Sequence, residues 1–387
     1  MLSRLLHRGS AGAPMLSVVV PIFNVAPYLR ECLDSLVAQT YRDVEVILVD
    51  DGSTDGSTEL AARYARRRRS WQLVHSDHRG PGGARNRGVA LARGELLTFL
   101  DSDDLLPPDA HEAMVTTLQA SGSDFVVGSL LRLVDGEHVQ PPWIRRAHAQ
   151  RRVAITLDEF PEILVNVFPW DKVFRRSFYD DAGLVWAEGI RYEDQVFSTE
   201  AYLRAARFDV LRRPVYVWRL RTDGTSITQR RSDLADLQDR VRTKEMTTAV
   251  VRDLGSPKVL QHWARNGLPG DLPVYFREIP GCDDDYWQLL STATRALFDG
   301  LPPIERANLP VAQRALGWLV ARGRRADAEA LLRWLDEHPG PPAIRVTREV
   351  PTAELPFSDD PASGVPQDVF ALTDGELERW RRTLTDR

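Results

Sequence analysis

The sequence predicts an α/β protein: a mostly parallel sheet flanked by helices, followed by a mainly helical C-terminal region. Three observations carry this. Short, β-branched, continuously apolar runs recur through the first half, the pattern of strands buried on both faces. Each is followed by a stretch with helical spacing of apolar residues, and alternation at this interval argues for βαβ units. From about residue 232 the strand-like runs give way to helical segments separated by Pro and Gly.

Residues 16–22, Leu-Ser-Val-Val-Val-Pro-Ile, read as the first strand. Tyr28, Leu29, Cys32, Leu33, Leu36 and Val37 then mark a helix over 27–39. Residues 44–49 are the second strand, 57–69 a helix, 71–75 a short strand, 82–92 a helix and 95–100 the next strand. A helix runs from Asp109 to about Ala120, with strand candidates at 124–128 and 130–134. The polar, Arg-rich stretch 137–155 reads as loop. Helices are expected at 158–167 and 193–206, and two short strands around Pro214 within 208–218. Further helices are expected at 232–253, 283–299, 310–322, 325–338 and 373–386. The domain reading is an extension over 1–15, a sheet domain over 16–230, a helical region over 231–338, and a Pro- and Asp-rich linker with a terminal helix over 339–387.

Composition narrows the function. A chain of 387 residues has room for two or three domains, and 27% charged residues at a net charge of −5 do not suggest a nucleic-acid binder. Only Lys172, Lys244 and Lys258 are lysines among 50 basic residues, so abundant arginine is a compositional bias before it is a phosphate signal. The run Arg66–Arg69 reads as an exposed helix end. Cys32 and Cys282 form no metal-ligand spacing and read as free thiols. Met1 to Pro14 has no sustained apolar stretch and does not read as a signal peptide. No run reaches the ~18 apolar residues of a membrane span. A cytoplasmic location follows, at the inner face of the plasma membrane if the substrate is a membrane lipid or polymer.

The chemistry lies at the strand ends. Leu100-Asp-Ser-Asp-Asp104 follows an apolar run and places Asp101 and Asp103 at a carboxyl edge, where open α/β sheets bind ligands. Asp-x-Asp offers hard oxygen donors for Mg²⁺ or Mn²⁺ holding a diphosphate. The same acids would also serve to cap the helix that follows. Val49-Asp-Asp-Gly-Ser-Thr-Asp55 places Asp51 and Gly52 at the next strand end. There a carboxylate can accept the N–H of a pyrimidine base, or simply close a tight turn. Gly80-Pro-Gly-Gly-Ala-Arg-Asn86 opens a helix whose backbone N–H groups and Arg85 can meet phosphate. Position 85 is not glycine, so the dinucleotide fingerprint is absent, and so is a P-loop.

Four ordered motifs, VVVPIFN (18–24), VDDGSTDGS (49–57), GPGGARNRG (80–88) and FLDSDD (99–104), resemble the N-terminal half of family 2 glycosyltransferases. The resemblance covers residues 16 to about 228. It implies the GT-A fold, a Rossmann-like sheet, and inverting sugar transfer. It implies that Pro21, Phe23, Asn24 and Asp51 hold the nucleotide base, uracil foremost. It further implies that Asp101, with Ser102 beside it, holds the ribose and that Asp103, with Asp101, holds the metal. Arg191-Tyr-Glu-Asp194 matches the family's acidic pair, with Asp194 as general base and Glu193 on the acceptor side. Inversion by single displacement needs such a base, because the acceptor hydroxyl loses its proton as it attacks. On residues alone, the pair would equally serve the dipole of a helix start.

Two more segments resemble members that glycosylate cell-wall polymers. Pro169-Trp-Asp-Lys-Val-Phe174 is similar to an acceptor-side motif, through Trp170 and Lys172. The stretch from Arg219 to Thr228 resembles a lid loop in which Arg219 or Arg221, with Ser226, approaches the diphosphate. A histidine metal ligand used by some relatives is not evident. The tail from about 232 resembles the region after the transferase domain in long actinobacterial-type proteins, which implies a teichoic-acid-like or other cell-surface acceptor.

The expected partners are a nucleotide-sugar donor and a polysaccharide, polyol-phosphate or lipid-linked acceptor, with no nucleic acid. Peripheral membrane association and homo-oligomerisation are left open. Two other readings compete: a sugar nucleotidyltransferase, and a non-catalytic sugar- or polymer-binding module. Pro21-Ile-Phe-Asn24 lacks the Gly- and Arg/Lys-rich loop of the first, and intact Asp51, Asp101, Asp103 and Asp194 disfavour the second.

Overall fold

A computed structural model describes residues 13–221, 231–347 and 350–385. The chain divides into two compact units, one ending at Ser226 and the other beginning at Ile227.

The first unit alternates strands and helices: β1 (Leu16–Ile22), α1 (Ala26–Val37), β2 (Val44–Asp50), α2 (Ser57–Arg66), β3 (Trp71–His75), α3 (Gly80–Val89), β4 (Leu96–Phe99) and α4 (Ala110–Ser121). It continues with β5 (Phe125–Val134), β6 (Glu137–Val139), α5 (Pro142–Ala147), β7 (Arg152–Ile155), β8 (Lys172–Arg175), α6 (Arg176–Asp181), α7 (Glu193–Arg204) and β9 (Phe208–Arg219). Among the described residues these strands form one sheet in the order β3-β2-β1-β4-β8-β5-β9-β7, with β6 paired to β5.

The half carrying β3, β2, β1 and β4 is parallel, as the alternating pattern predicts. The sheet as a whole is mixed, because β8 runs antiparallel to both β4 and β5. Val18, Val19, Val20 and Ile47 to Val49 are fully buried, since helices cover both faces of the parallel half. The other half is built on rings. Phe125 stacks on Phe208 at 5.3 Å, and Trp186 stacks on Phe197 at 3.9 Å.

A polar staple closes the end of the sheet away from the strand tips. The buried Glu45 carboxylate accepts from Ser17 Oγ at 2.6 Å, from the Gly94 amide at 3.1 Å and from Arg93 Nη2 at 2.9 Å. Burial pushes its pKa up, but these donors outweigh burial and hold it below the usual carboxylate range.

Several expectations need correction. The 137–155 stretch is not loop: it holds β6, α5 and β7. The two strands expected within 124–134 are one strand, β5, and those within 208–218 are one strand, β9. Their parallel pairing shifts register between Val127 and Leu130, and that irregularity is what the pattern registered as breaks. The helix expected over 158–167 is a short 3₁₀ turn, Pro161–Val165.

The second unit is mainly helical among its described residues: α8 (Leu234–Leu254), α9 (Pro257–His262), α10 (Leu272–Phe276), α11 (Asp284–Leu297), α12 (Val311–Ala321) and α13 (Arg325–Glu337). The segment read as linker contains an antiparallel hairpin, β10 (Ile344–Thr347) and β11 (Val350–Ala353), and buries Leu355, Val369 and Phe370. A Thr373–Glu376 capping box opens the last helix, α14 (Asp374–Thr385), and Glu376 also accepts from buried Arg314 at 2.8 Å. No helix among the described residues is long and apolar enough to cross a membrane.

Candidate active site

The site is built at the carboxyl ends of β1, β2 and β4. The loops after β1 and β2 are laced together. Asn24 sits in the left-handed region at φ 48°, which Asn tolerates, and its Oδ1 accepts from the Thr54 amide at 2.8 Å. The Asn24 amide donates to Ser53 Oγ at 3.1 Å. Pro21 is half-buried below, and Phe23 projects outward at 45% exposure with its ring 4.8 Å from that of His78.

Asp51 is almost fully buried, and Gly52 after it takes φ 90°. The carboxylate accepts the Arg79 amide at 3.0 Å and the Gly80 amide at 2.8 Å, so it also organises the start of α3. His78 Nδ1 lies 2.9 Å from the Asp51 carbonyl oxygen. His78, which had no signal in the sequence, thus lies beside both the acid at the tip of β2 and the exposed Phe23 ring.

The loop after β4 crowds three acids. Asp101 Oδ1 accepts from Arg85 Nη2 at 2.6 Å, and Asp103 Oδ2 from Arg221 Nε at 2.7 Å. Ser102 is buried between them. Asp104, not anticipated, is buried and accepts from the Tyr216 hydroxyl at 2.8 Å and the Arg219 amide at 2.7 Å. Burial raises the Asp103 carboxyl, Arg221 opposes that, and neighbouring Asp101 adds to the rise. Asp104 is pushed up further, first by burial and then by Asp103 and Asp101.

Arg219 Nε donates to the Asp103 carbonyl at 2.9 Å and Arg219 Nη2 to Glu31 at 2.5 Å. Both Arg219 and Arg221 lie over the Tyr28 ring, so both flank the acids and neither stands apart as the single donor-facing arginine. Ser226 and most of the expected lid lie outside the described residues.

The donor set fits a hard divalent cation. Asp101 and Asp103 keep partial exposure, 29% and 21%, and their mutual repulsion would be relieved by a cation. No cage of three or more His, Cys, Asp or Glu exists among the described residues. Two carboxylates that leave positions for phosphate oxygens and water suit Mg²⁺ or Mn²⁺.

Glu193 and Asp194, the acids expected on the acceptor side, open α7. Tyr192, just before them, takes φ 65°, an uncommon conformation for an aromatic residue. Glu193 is buried and accepts from Arg85 Nη1 at 2.6 Å; burial raises its carboxyl and Arg85 opposes the rise. Asp194 is half-buried in the same first turn, where the helix dipole favours negative charge. Arg85 therefore spends both terminal nitrogens on carboxylates, and its guanidinium lies 4.5 Å over Trp186. Its expected place beside an open phosphate site is not where the structure puts it.

Trp170 and Lys172 are also placed differently from expectation. Trp170 is buried and stacks on Tyr216 at 3.8 Å. Lys172 is fully buried, and its ammonium donates to Asn166 Oδ1 at 2.9 Å, Asp171 Oδ1 at 3.0 Å and the Phe168 carbonyl. An ammonium has three N–H groups, and this loop takes them all. Neither side chain presents itself to an acceptor.

The mixed nine-stranded sheet flanked by helices is a GT-A fold. Residues 17–182 match the model of glycosyl transferase family 2, so the first unit carries a family 2 glycosyltransferase domain. The chain is 32% identical over 210 residues to the uncharacterized glycosyltransferase EpsJ of Bacillus subtilis, covering 53% of this chain and 61% of EpsJ. It is 29% identical over 214 residues to the poly(ribitol-phosphate) beta-glucosyltransferase of Bacillus spizizenii, covering 54% of this chain and 33% of that protein. The chain spans about three fifths of the length of EpsJ and of the putative glycosyltransferase EpsH. Residues 1–349 of S. aureus TarS, solved in complex with UDP-GlcNAc, share its fold with a TM-score of 0.71 at 20% identity, over 88% of this chain and 97% of that one.

Proposed function

We propose that the chain is a metal-dependent, inverting glycosyltransferase. It takes a sugar from a nucleoside-diphosphate sugar, a UDP-sugar by preference, and passes it to a hydroxyl of a cell-surface polysaccharide, teichoic-acid-like polymer or lipid-linked acceptor. One observation supports this best: Asp101, expected on the donor side, and Glu193, expected on the acceptor side, are bridged by the single guanidinium of Arg85. In this reading donor and acceptor functions meet around Arg85. Likeness to a poly(ribitol-phosphate) glucosyltransferase supports the polymer acceptor.

In this reading Phe23 offers its exposed face to the base and Asp51 a carboxylate to the ring N–H. Asp103 and Asp101 would hold Mg²⁺ or Mn²⁺, which when bound would neutralise charge on the departing diphosphate. Asp194 takes the proton of the acceptor hydroxyl as its oxygen bonds to the anomeric carbon and the bond from that carbon to phosphate oxygen breaks. The displacement is single, so configuration inverts. Arg219 and Arg221 stand beside Asp103 at the root of the loop expected to close over the donor. The work is placed in the cytoplasm, at the inner face of the plasma membrane where the acceptor is membrane-linked.

The test is release of UDP from a panel of UDP-sugars with Mn²⁺ and hydroxyl acceptors, with UDP, GDP and ADP as competitors. The reading predicts acceptor-stimulated UDP release, inhibited by UDP above GDP and ADP. No release with any donor, or equal competition by GDP, counts against it.

A further inference from the structure

The glycine-rich opening of α3 packs against a neighbouring loop. Three of its residues face the segment 186–193. Asn86 grips the main chain of Trp186 from both sides: its Nδ2 donates to the Trp186 carbonyl at 3.0 Å, and its Oδ1 accepts the Trp186 amide at 3.0 Å. The same Nδ2 reaches Glu188 Oε1 at 3.1 Å. Arg85 bridges Glu193 and Asp101, at 2.6 Å each. Gly82 lies so close that an added Cβ would stand 2.1 Å from the Ala187 carbonyl oxygen and 3.5 Å from Glu193 Cγ. A glycine is needed there for the close approach of two backbones.

We infer that the opening of α3 is a clamp: Gly82, Arg85 and Asn86 hold the 186–193 segment, and with it Asp194, in register with Asp101. Arg85 is then a positioning residue. It touches neither diphosphate nor acceptor. Arg85 is almost fully buried, so a phosphate would have to enter its pocket at a desolvation cost. Trp186 completes the clamp. Arg85 lies over its ring, and its ring stacks on Phe197 of α7, so the segment is fixed at both ends of the turn that leads into Glu193. The left-handed backbone at Tyr192 sits inside this clamped stretch, where surrounding contacts can maintain it.

The consequence separates two kinds of failure. A donor-binding residue, when changed, weakens nucleotide binding. A clamp residue leaves the donor bound but lets the base drift from the reacting oxygen, and small misplacement is costly to rate. The inference rests on the transferase reading for its turnover arm but not for its conformational arm.

The test uses the full chain as wild type, Asn86→Ala, Arg85→Lys and Glu193→Gln. Lysine keeps the charge but cannot span both carboxylates as the planar fork does. UDP with Mn²⁺ is titrated calorimetrically, turnover is measured at saturating donor, and amide hydrogen exchange is followed across 186–197. The clamp predicts UDP affinity within about threefold of wild type, turnover down by at least roughly tenfold, and exchange in 186–197 faster by roughly tenfold in Asn86→Ala and Arg85→Lys. A phosphate cradle predicts the reverse: Arg85→Lys weakens UDP by more than about tenfold and Asn86→Ala is silent. That pattern overturns the inference, as does unchanged turnover in folded Asn86→Ala. Should Arg85→Lys not fold, the half-exposed Asn86→Ala and the near-isosteric Glu193→Gln decide on the same criteria. A wild type that binds no nucleoside diphosphate defeats the transferase reading instead. The clamp is then judged by exchange alone, and wild-type exchange in Asn86→Ala overturns it.

Discussion

At the scale of residues, the site is a balance of crowded acids and a few arginines. Asp103 is the acid whose partner, Arg221, sits at the root of the expected lid, and it is the carboxylate proposed for the metal. Asp103→Ala should abolish Mn²⁺-dependent UDP binding while thermal unfolding stays close to wild type, because the side chain is partly exposed and anchors no core. UDP affinity unchanged in a titration would remove Asp103 from the donor site. Lys172 makes the opposite case. Its ammonium, fully buried, neutralises Asp171 and satisfies Asn166, so Lys172→Met strands a buried carboxylate. Loss of one partner of a buried pair costs about 3–5 kcal/mol. Chemical unfolding should show that loss, with the KM for acceptor little changed in whatever protein remains folded; a raised KM with unchanged stability would return Lys172 to the acceptor side. The sequence exposed Asp51, Asp101, Asp103, Glu193 and Asp194 because acids at strand and helix ends are conspicuous. The real bonding of Arg85 was hidden, since its partners lie 16 and 108 residues away.

At the scale of elements, legibility followed burial. β1, β2 and β4 are almost wholly buried and read as predominantly apolar runs. β6 and β7 are short and mostly exposed or half-exposed, so their polar residues looked like loop. β8 is four residues long and begins with a buried lysine, which drew attention to chemistry and away from pairing. The β10–β11 hairpin was lost in a segment whose Pro and Asp content resembles a linker. The staple between β1 and β2 gives an element-scale prediction. Glu45→Gln should cost roughly 1–3 kcal/mol at pH 7, the loss of charge-assisted hydrogen bonds at a buried site. The native carboxyl is held below its usual value of about 4.3, so its contribution is present above that pH and lost as pH falls through the native value. Urea midpoints of wild type and variant should therefore converge between pH 7 and pH 3. A gap that stays constant would mean that the staple carries no charge-dependent stability.

At the scale of the whole molecule, stability and activity answer to different buried groups. Burial lowers His111 to about 4, and burial with a smaller contribution from Lys172 lowers His148 to about 4. His148 shows why: Nδ1 faces the Leu211 carbonyl at 2.8 Å and Nε2 faces the Asn166 amide nitrogen at 3.0 Å, so a second ring proton has no acceptor. Between about pH 6.5 and 4 the unfolded chain binds protons at these positions that the native protein does not, so each histidine makes stability fall as pH falls. Asp103 and the buried Asp104, Asp171 and Glu193 are raised and act in the opposite sense, so the histidine effect is isolated by a variant. His111→Leu should gain on wild type by up to about 1.4 kcal/mol per pH unit over that window; an offset independent of pH would contradict the neutral buried imidazole. The central claim concerns chemistry: Asp194 is the base of a single-displacement transfer whose donor is held by other residues. The direct measurement is single-turnover sugar transfer by Asp194→Asn at saturating donor, with donor occupancy measured in the same samples. The account predicts near-wild-type occupancy and a rate lower by roughly 10²–10⁴-fold, the worth of a positioned base. Full occupancy with most of the wild-type rate would contradict it.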